Sequence, residues 1–260
     1  SKYFARRHVE IAHVRHIVVS SLYAFVIFVL IFVQPDFGSA IIIGMLWLWM
    51  VLVSGISKKH LLLVFTIALT SALILWNFGF RDYQKERIMS FLNPLADIRG
   101  AGYNAYQSTV AVGSGELLGK GIGLGSQSKL KFLPEYRTDF IFASYAEEWG
   151  FVGVLLLFAL YGMVVWRILL ISYKGETNFE ILYGLGLAIL FVSHFIIHVG
   201  MNIGLLPVTG ISLPLMSYGG SHLLFEFLGL GILMGMKSYA RATHKEESQN
   251  ELLQVLNKDL

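Results

Sequence analysis

The sequence predicts an all-α, polytopic membrane protein, on three observations. Of its 260 residues 55% are hydrophobic and only 14% charged, against roughly 25% charged in an average soluble domain. The apolar residues come in runs close to the length of about 20 that a helix needs to cross a bilayer. Lys and Arg gather at the ends of those runs and not on one basic face, so the net charge of +3 and the pI near 9.0 are read as topology signals, not as a nucleic-acid surface. Cysteine is absent, which excludes disulfides, thiol nucleophiles and Cys-based metal sites.

About six spans are expected, at residues 17–33, 37–56, 61–80, 151–171, 181–203 and 216–236. The first follows a basic segment, Lys2 to His16, too long and charged for the n-region of a signal peptide, and no initiator Met precedes it. The chain is therefore expected to begin inside a larger protein, after an earlier helix. The short segments with Lys58-Lys59, with Arg167 and Lys174, and with Lys237, Arg241 and Lys245 are basic. The turns opposite them, Gln34-Pro35-Asp36 and Asn202 to Ser217, lack Lys and Arg. By the positive-inside rule both ends of the chain are cytoplasmic and the long loop over residues 81–139 faces outward. With no repeat or linker in view, residues 1–243 form one membrane domain and 244–260 a cytoplasmic tail with no assigned function.

The outer loop is where the chemistry is expected. It opens with Arg81-Asp82-Tyr83-Gln84-Lys85-Glu86-Arg87 and contains a glycine-dense stretch, Gly113 to Gly125. A phosphate-binding P-loop fails on spacing, because Gly119-Lys120 is followed by Gly121 where Ser or Thr is needed. A flexible outer loop is the plainer account on spacing alone. The loop ends at Asp139, directly before apolar Phe140-Ile-Phe-Ala, with Lys131, Glu135 and Arg137 nearby. A carboxylate at a water–lipid boundary suits a base acting on an amphiphilic substrate, while Thr138 or Asp139 could equally cap the next helix. Glu147, Glu148 and Glu226 lie in apolar runs where an ionised carboxylate costs about 2.5–3.5 kcal/mol at the bilayer centre, so they should face a cavity, headgroups or another helix. His194 and His198 have zinc-ligand spacing, but without an HExxH pattern a bridge between helices is the better account.

Four ordered motifs resemble the SEDS family (shape, elongation, division and sporulation) of the RodA/FtsW/SpoVE type. They are Gln34-Pro-Asp-Phe-Gly-Ser-Ala40, Gly100-Ala-Gly-Tyr-Asn104 leading to Gly125, Leu133-Pro-Glu-Tyr-Arg-Thr-Asp-Phe-Ile-Phe-Ala143, and Gly204-Leu-Leu-Pro-Val-Thr-Gly210 leading to Ser217-Tyr-Gly-Gly220. Phe91-Leu-Asn-Pro-Leu-Ala-Asp97 makes the resemblance RodA-like more than FtsW-like. It implies the later part of a ten-helix fold and a peptidoglycan glycosyltransferase that polymerises lipid II on the outer face of the bacterial plasma membrane. A class B penicillin-binding transpeptidase is the implied partner. The family's essential acidic residue falls on Asp139, which favours the base. Arg81, Lys85, Lys120 or Arg137 could hold the leaving undecaprenyl pyrophosphate, with or without a divalent cation, and Lys131, Glu135, Ser217, Gly219 and Gly220 complete the expected substrate site. Arg137 stands where the family usually has His, Trp149 where it has Leu, Ser212 where it has Pro, and His222 where Ser is common. The rival functions are a lipid II flippase, an FtsW-like division polymerase and a scaffold for the transpeptidase.

Overall fold

The computed structural model describes residues 14–34, 36–53, 58–93, 101–129 and 132–238, and these contain helices and turns but no strand. Lys131 and the tail lie outside the described residues. Helix α1 (Val14–Val33) packs on α2 (Phe37–Val53), and α3 (Lys58–Ile74) runs into a π-helical turn at Leu75–Gly79. The segment between α3 and residue 140 is largely helical: α4 (Asp82–Leu92), α5 (Ala101–Ser114) and the one-turn α6 (Ser126–Lys129). Two long helices follow, α7 (Ile141–Tyr173) and α8 (Asn178–Asn202), both long and apolar enough to cross a membrane. Helix α9 occupies residues 220–238; the expected last run begins late because 214–219 are turns.

Helix α8 is the hub, packing on α7, α2 and α5. Tyr161, Ile168, Leu187, Phe191 and Leu233 join α7, α8 and α9 in one core cluster, and Met50, Val51 and Leu182 join α2 to α8. Beyond residue 150, α7 turns most of its large apolar side chains outward: Phe151, Val152, Leu155, Leu156 and Leu160 are exposed. That is the pattern of a helix solvated by lipid, in which apolar groups need no burial in protein.

The glycine-dense stretch is docked, which corrects the expectation of a loose loop. Helix α7 breaks at Gly150, whose φ of 65° and ψ of −167° are non-helical. The break leaves backbone groups without intrahelical partners, and the loop supplies them. Phe151 N and Val152 N donate to Glu116 O (2.9 Å) and Leu117 O (3.1 Å), while Glu147 O and Glu148 O accept from Lys120 N and Gly121 N, each at 3.0 Å. Such backbone-to-backbone docking explains two of the glycines. A Cβ at Gly115 would collide with Ala146 O, and one at Gly119 with Glu148 O.

Candidate active site

Three elements bring Asp139 to its position: the turn over 134–140, the C-terminus of α8, and the non-helical segment 203–219. The turn is closed by Glu135, at φ 51°, whose carbonyl accepts from Thr138 N and Phe140 N, both at 3.1 Å. Thr138 Oγ1 donates to the Glu135 carboxylate at 2.8 Å. Buried Ser217 ties the turn to the opposite segment, donating to Thr138 O at 2.9 Å and accepting from Leu213 N at 2.8 Å.

The cap alternative is decided by Asn202. The N-cap of α7 is Phe140, with no side-chain cap, and the amide of Ala143 is capped from another helix by Asn202 Oδ1 at 3.1 Å. The same buried side chain donates to Asp139 O at 3.0 Å and to His198 O at 2.8 Å. Thus the backbone of Asp139 is held while its carboxylate has no capping duty. The carboxylate lies against Gly210, where a Cβ would stand 3.6 Å from Asp139 Oδ2. Burial pushes its pKa above the ordinary carboxylate value; Glu135 adds to that push and the Arg87 guanidinium opposes it. Such a carboxyl is a stronger base than an exposed one.

The structure distributes the expected substrate residues unevenly. Glu135 and Ser217 belong to the Asp139 turn, and Arg137 lies beside it, exposed, with its guanidinium 5.2 Å from the centre of the Tyr136 ring. Lys120 is committed elsewhere: its Nζ is 2.7 Å from Glu147 Oε1, and this fully buried carboxylate also accepts from Ser126 Oγ and Gln127 N. Arg81 is exposed at the N-cap of α4, and Lys85 is half-buried on that helix. Gly219 and Gly220 lie at the start of α9, past the contact that Ser217 makes. His198 bridges α8 to Ile211 O at 2.6 Å, and Glu226 accepts from Leu215 N at 3.0 Å, so both act as backbone partners.

Sequence reasoning missed Arg87 and Asn202. Arg87 sits with buried Gln84 and Ser90 at three-residue spacing on the inner face of α4, a periodicity legible once the charged opening of the loop is read as an amphipathic helix. Asn202 had no local signal, because every group it binds comes from elsewhere in the fold or from the previous helical turn.

Residues 1–242 match the family model of the FtsW/RodA/SpoVE cell cycle proteins. The chain belongs to this family. FtsW/RodA/SpoVE relatives include the peptidoglycan glycosyltransferase MrdB of Escherichia coli K12, 41% identical over 216 residues, covering 83% of this chain and 58% of that protein. The probable peptidoglycan glycosyltransferase FtsW of Thiomicrospira cyclica is 35% identical over 227 residues, covering 86% of this chain and 57% of that protein. Among solved structures, one of a peptidoglycan synthase complex, concerned with coordination of polymerization and crosslinking, aligns with a TM-score of 0.71 at 30% identity, over 87% of this chain and 63% of that one. The rod shape determining protein RodA of Thermus thermophilus aligns with a TM-score of 0.59 at 26% identity, over 90% and 61%. The chain thus spans under two-thirds of the length of these family members.

Proposed function

We propose that this chain carries the catalytic part of a peptidoglycan glycosyltransferase that polymerises lipid II during cell elongation, with Asp139 as general base. The observation that carries the reading is the Asp139 carboxylate, partly desolvated at the foot of the outer layer, its backbone held by Asn202 and its side chain left out of the cap. Asp139 takes the proton of a sugar hydroxyl on one lipid-linked disaccharide as that oxygen bonds to the anomeric carbon of another. The bond from that carbon to undecaprenyl pyrophosphate breaks, and the leaving group keeps the electron pair. General-base help of this kind contributes roughly 10²–10⁴ in rate. A divalent cation carried in by the pyrophosphate would offset the negative charge of the leaving group, and titration with EDTA tests for it.

The family relatives named as peptidoglycan glycosyltransferases support the reaction, and the alignment with a rod shape determining protein RodA supports the elongation role. The alignment with a peptidoglycan synthase complex supports a class B penicillin-binding transpeptidase as partner. In this reading the outer layer faces away from the cytoplasm, where the lipid-linked sugar is accessible, and both ends of the chain are cytoplasmic. The experiment is polymerisation of labelled lipid II by purified full-length protein in detergent. Wild type lengthens glycan there without a membrane gradient, which a flippase would not do. An Asp139→Asn protein that still inserts and binds its partner loses this activity, and wild-type turnover in that variant overturns the assignment.

A further inference from the structure

Glu226 is buried in the last span, and its two carboxylate oxygens have different neighbours. Oε2 accepts from Leu215 N at 3.0 Å. Oε1 lies 2.7 Å from His222 Nε2, one helical turn earlier on α9, and makes no aligned hydrogen bond among the described residues. The His222 ring in turn stands 5.7 Å, centre to centre, from that of His194 on α8, whose Nδ1 is 2.9 Å from Leu190 O. A neutral side chain would serve as an acceptor for one backbone N–H, so a carboxylate carried into the span at a cost in desolvation calls for a further reason. Leu215 supplies it. Its φ of 63° is left-handed, a value that a bulky side chain disfavours and that persists only where the surroundings enforce it. A carboxylate accepts a stronger hydrogen bond than a neutral oxygen does, and this one is placed on the strained residue itself.

The turn that contains Leu215 is the one to which the Asp139 turn is tied. Leu213 O accepts from Met216 N at 3.2 Å and from Ser217 N at 2.9 Å, and Ser217 Oγ accepts from Leu213 N. From this closed turn Ser217 Oγ donates to Thr138 O and Tyr218 N to Arg137 O, each at 2.9 Å. Those are the two peptide carbonyls directly before Asp139. We infer that Glu226, braced by His222, is a positioning residue for Asp139: it enforces the strained conformation of Leu215, keeps 213–217 closed, and so fixes the backbone that leads into the base. Asn202 anchors Asp139 O itself, and Glu226 secures the preceding two residues through the turn. The inference rests on the polymerase reading for the role of Asp139 and extends it to a residue that touches neither substrate nor the reacting atoms. Loss of this hold leaves substrate contacts in place and moves the base, which affects the chemical step more than binding.

The test uses full-length protein in detergent and two readouts, backbone hydrogen exchange followed by mass spectrometry and steady-state polymerisation of lipid II. Glu226→Leu speeds exchange roughly tenfold over residues 136–140 as well as over 213–218. It lowers kcat about 10- to 100-fold and leaves KM within about threefold of wild type. Glu226→Gln keeps an oxygen for Leu215 N and an amide for His222, and holds kcat within about threefold. His222→Leu removes the brace alone and lowers kcat by a smaller factor, about three- to tenfold. Leu233→Ala is the control, a cavity in the core cluster shared by α7, α8 and α9. It lowers the melting midpoint without changing kcat or exchange over 136–140. Unchanged exchange over 136–140 in Glu226→Leu overturns the inference, as does a Leu233→Ala protein that loses as much kcat for the same fall in midpoint. If Glu226→Leu does not accumulate, His222→Leu decides, and wild-type exchange and kcat in that variant overturn the inference. Exchange that responds to Glu226 in a protein whose wild type does not polymerise would sink the polymerase reading and leave the link to the Asp139 turn standing. Polymerisation with exchange over 136–140 indifferent to Glu226 would do the reverse.

Discussion

Lys120 separates two accounts of the glycine-dense loop. As a substrate residue it would serve the pyrophosphate; in the structure its ammonium lies 2.7 Å from Glu147, with side-chain exposures of 32% and 0%. Removing one partner of a buried pair costs about 3–5 kcal/mol, because the remaining charge is left without compensation. Lys120 is about one-third exposed, and Ser126 and Gln127 N stay on the carboxylate, which puts Lys120→Met near the lower end, about 3 kcal/mol. For a chain of this size that corresponds to a fall of roughly 6–12 °C in melting midpoint. Glu147→Gln in the Lys120→Met background removes the stranded charge and keeps an acceptor for Ser126. The double variant should recover to within about 1 kcal/mol of wild type, a coupling of the size that double-mutant cycles resolve. The assays are thermal unfolding in detergent and lipid II polymerisation on the four members of the cycle. A Lys120→Met protein with unchanged midpoint and a KM raised more than about tenfold, not rescued by Glu147→Gln, would refute the structural role and restore the substrate one.

Gly150→Ala places a side chain at φ 65° and 2.7 Å from Leu117 O; with the docked loop unable to yield, the loss should exceed about 4 kcal/mol and be read as failure to accumulate in the membrane fraction. Asn202→Ala leaves the amide of Ala143 and the carbonyl of Asp139 without their partner, for roughly 2–6 kcal/mol in stability, and lowers kcat more than it raises KM because the base is no longer held. Asp139 gives a pH signature with a definite sign. Its folded pKa is raised, so the folded state binds the proton more tightly than the unfolded one, and stability falls as pH rises through the interval between the two values. Asp139→Asn is accordingly more stable than wild type at neutral pH while inactive, and the difference vanishes below the ordinary carboxylate range; a less stable variant at neutral pH would contradict this.

The helical class and the apolar runs were legible because bilayer length and side-chain hydropathy are local properties of sequence. Asp139 was singled out by its motif, and the structure answers only the cap alternative, since the N-cap of α7 is Phe140 with no side-chain cap. The pairing of Lys120 was not legible because charge in a loop carries no information about its partner, and Glu147 lies 27 positions away. The start of α9 shifted for a similar reason. Residues 216–219 read as apolar and small, but Ser217 is held to Thr138 across 79 positions and keeps the chain non-helical there.

Non-helical backbone within a membrane domain needs internal partners, since lipid offers none. Segment 203–219 meets this condition with side chains that, taken singly in sequence, suggested ligands or functional charges. His198 holds Ile211 O, Ser217 holds Leu213 N and Glu226 holds Leu215 N, while one backbone carbonyl, Arg137 O, takes Tyr218 N. Asn202 performs the same service for the start of α7. A buried polar residue in such a fold is therefore explained first by the backbone groups it satisfies, and what remains unexplained is a candidate for chemistry. Asp139 meets that criterion: among the described residues its carbonyl is held by Asn202, whereas its carboxylate is placed beside Gly210, pushed up by burial and Glu135, and faces the charge of Arg87.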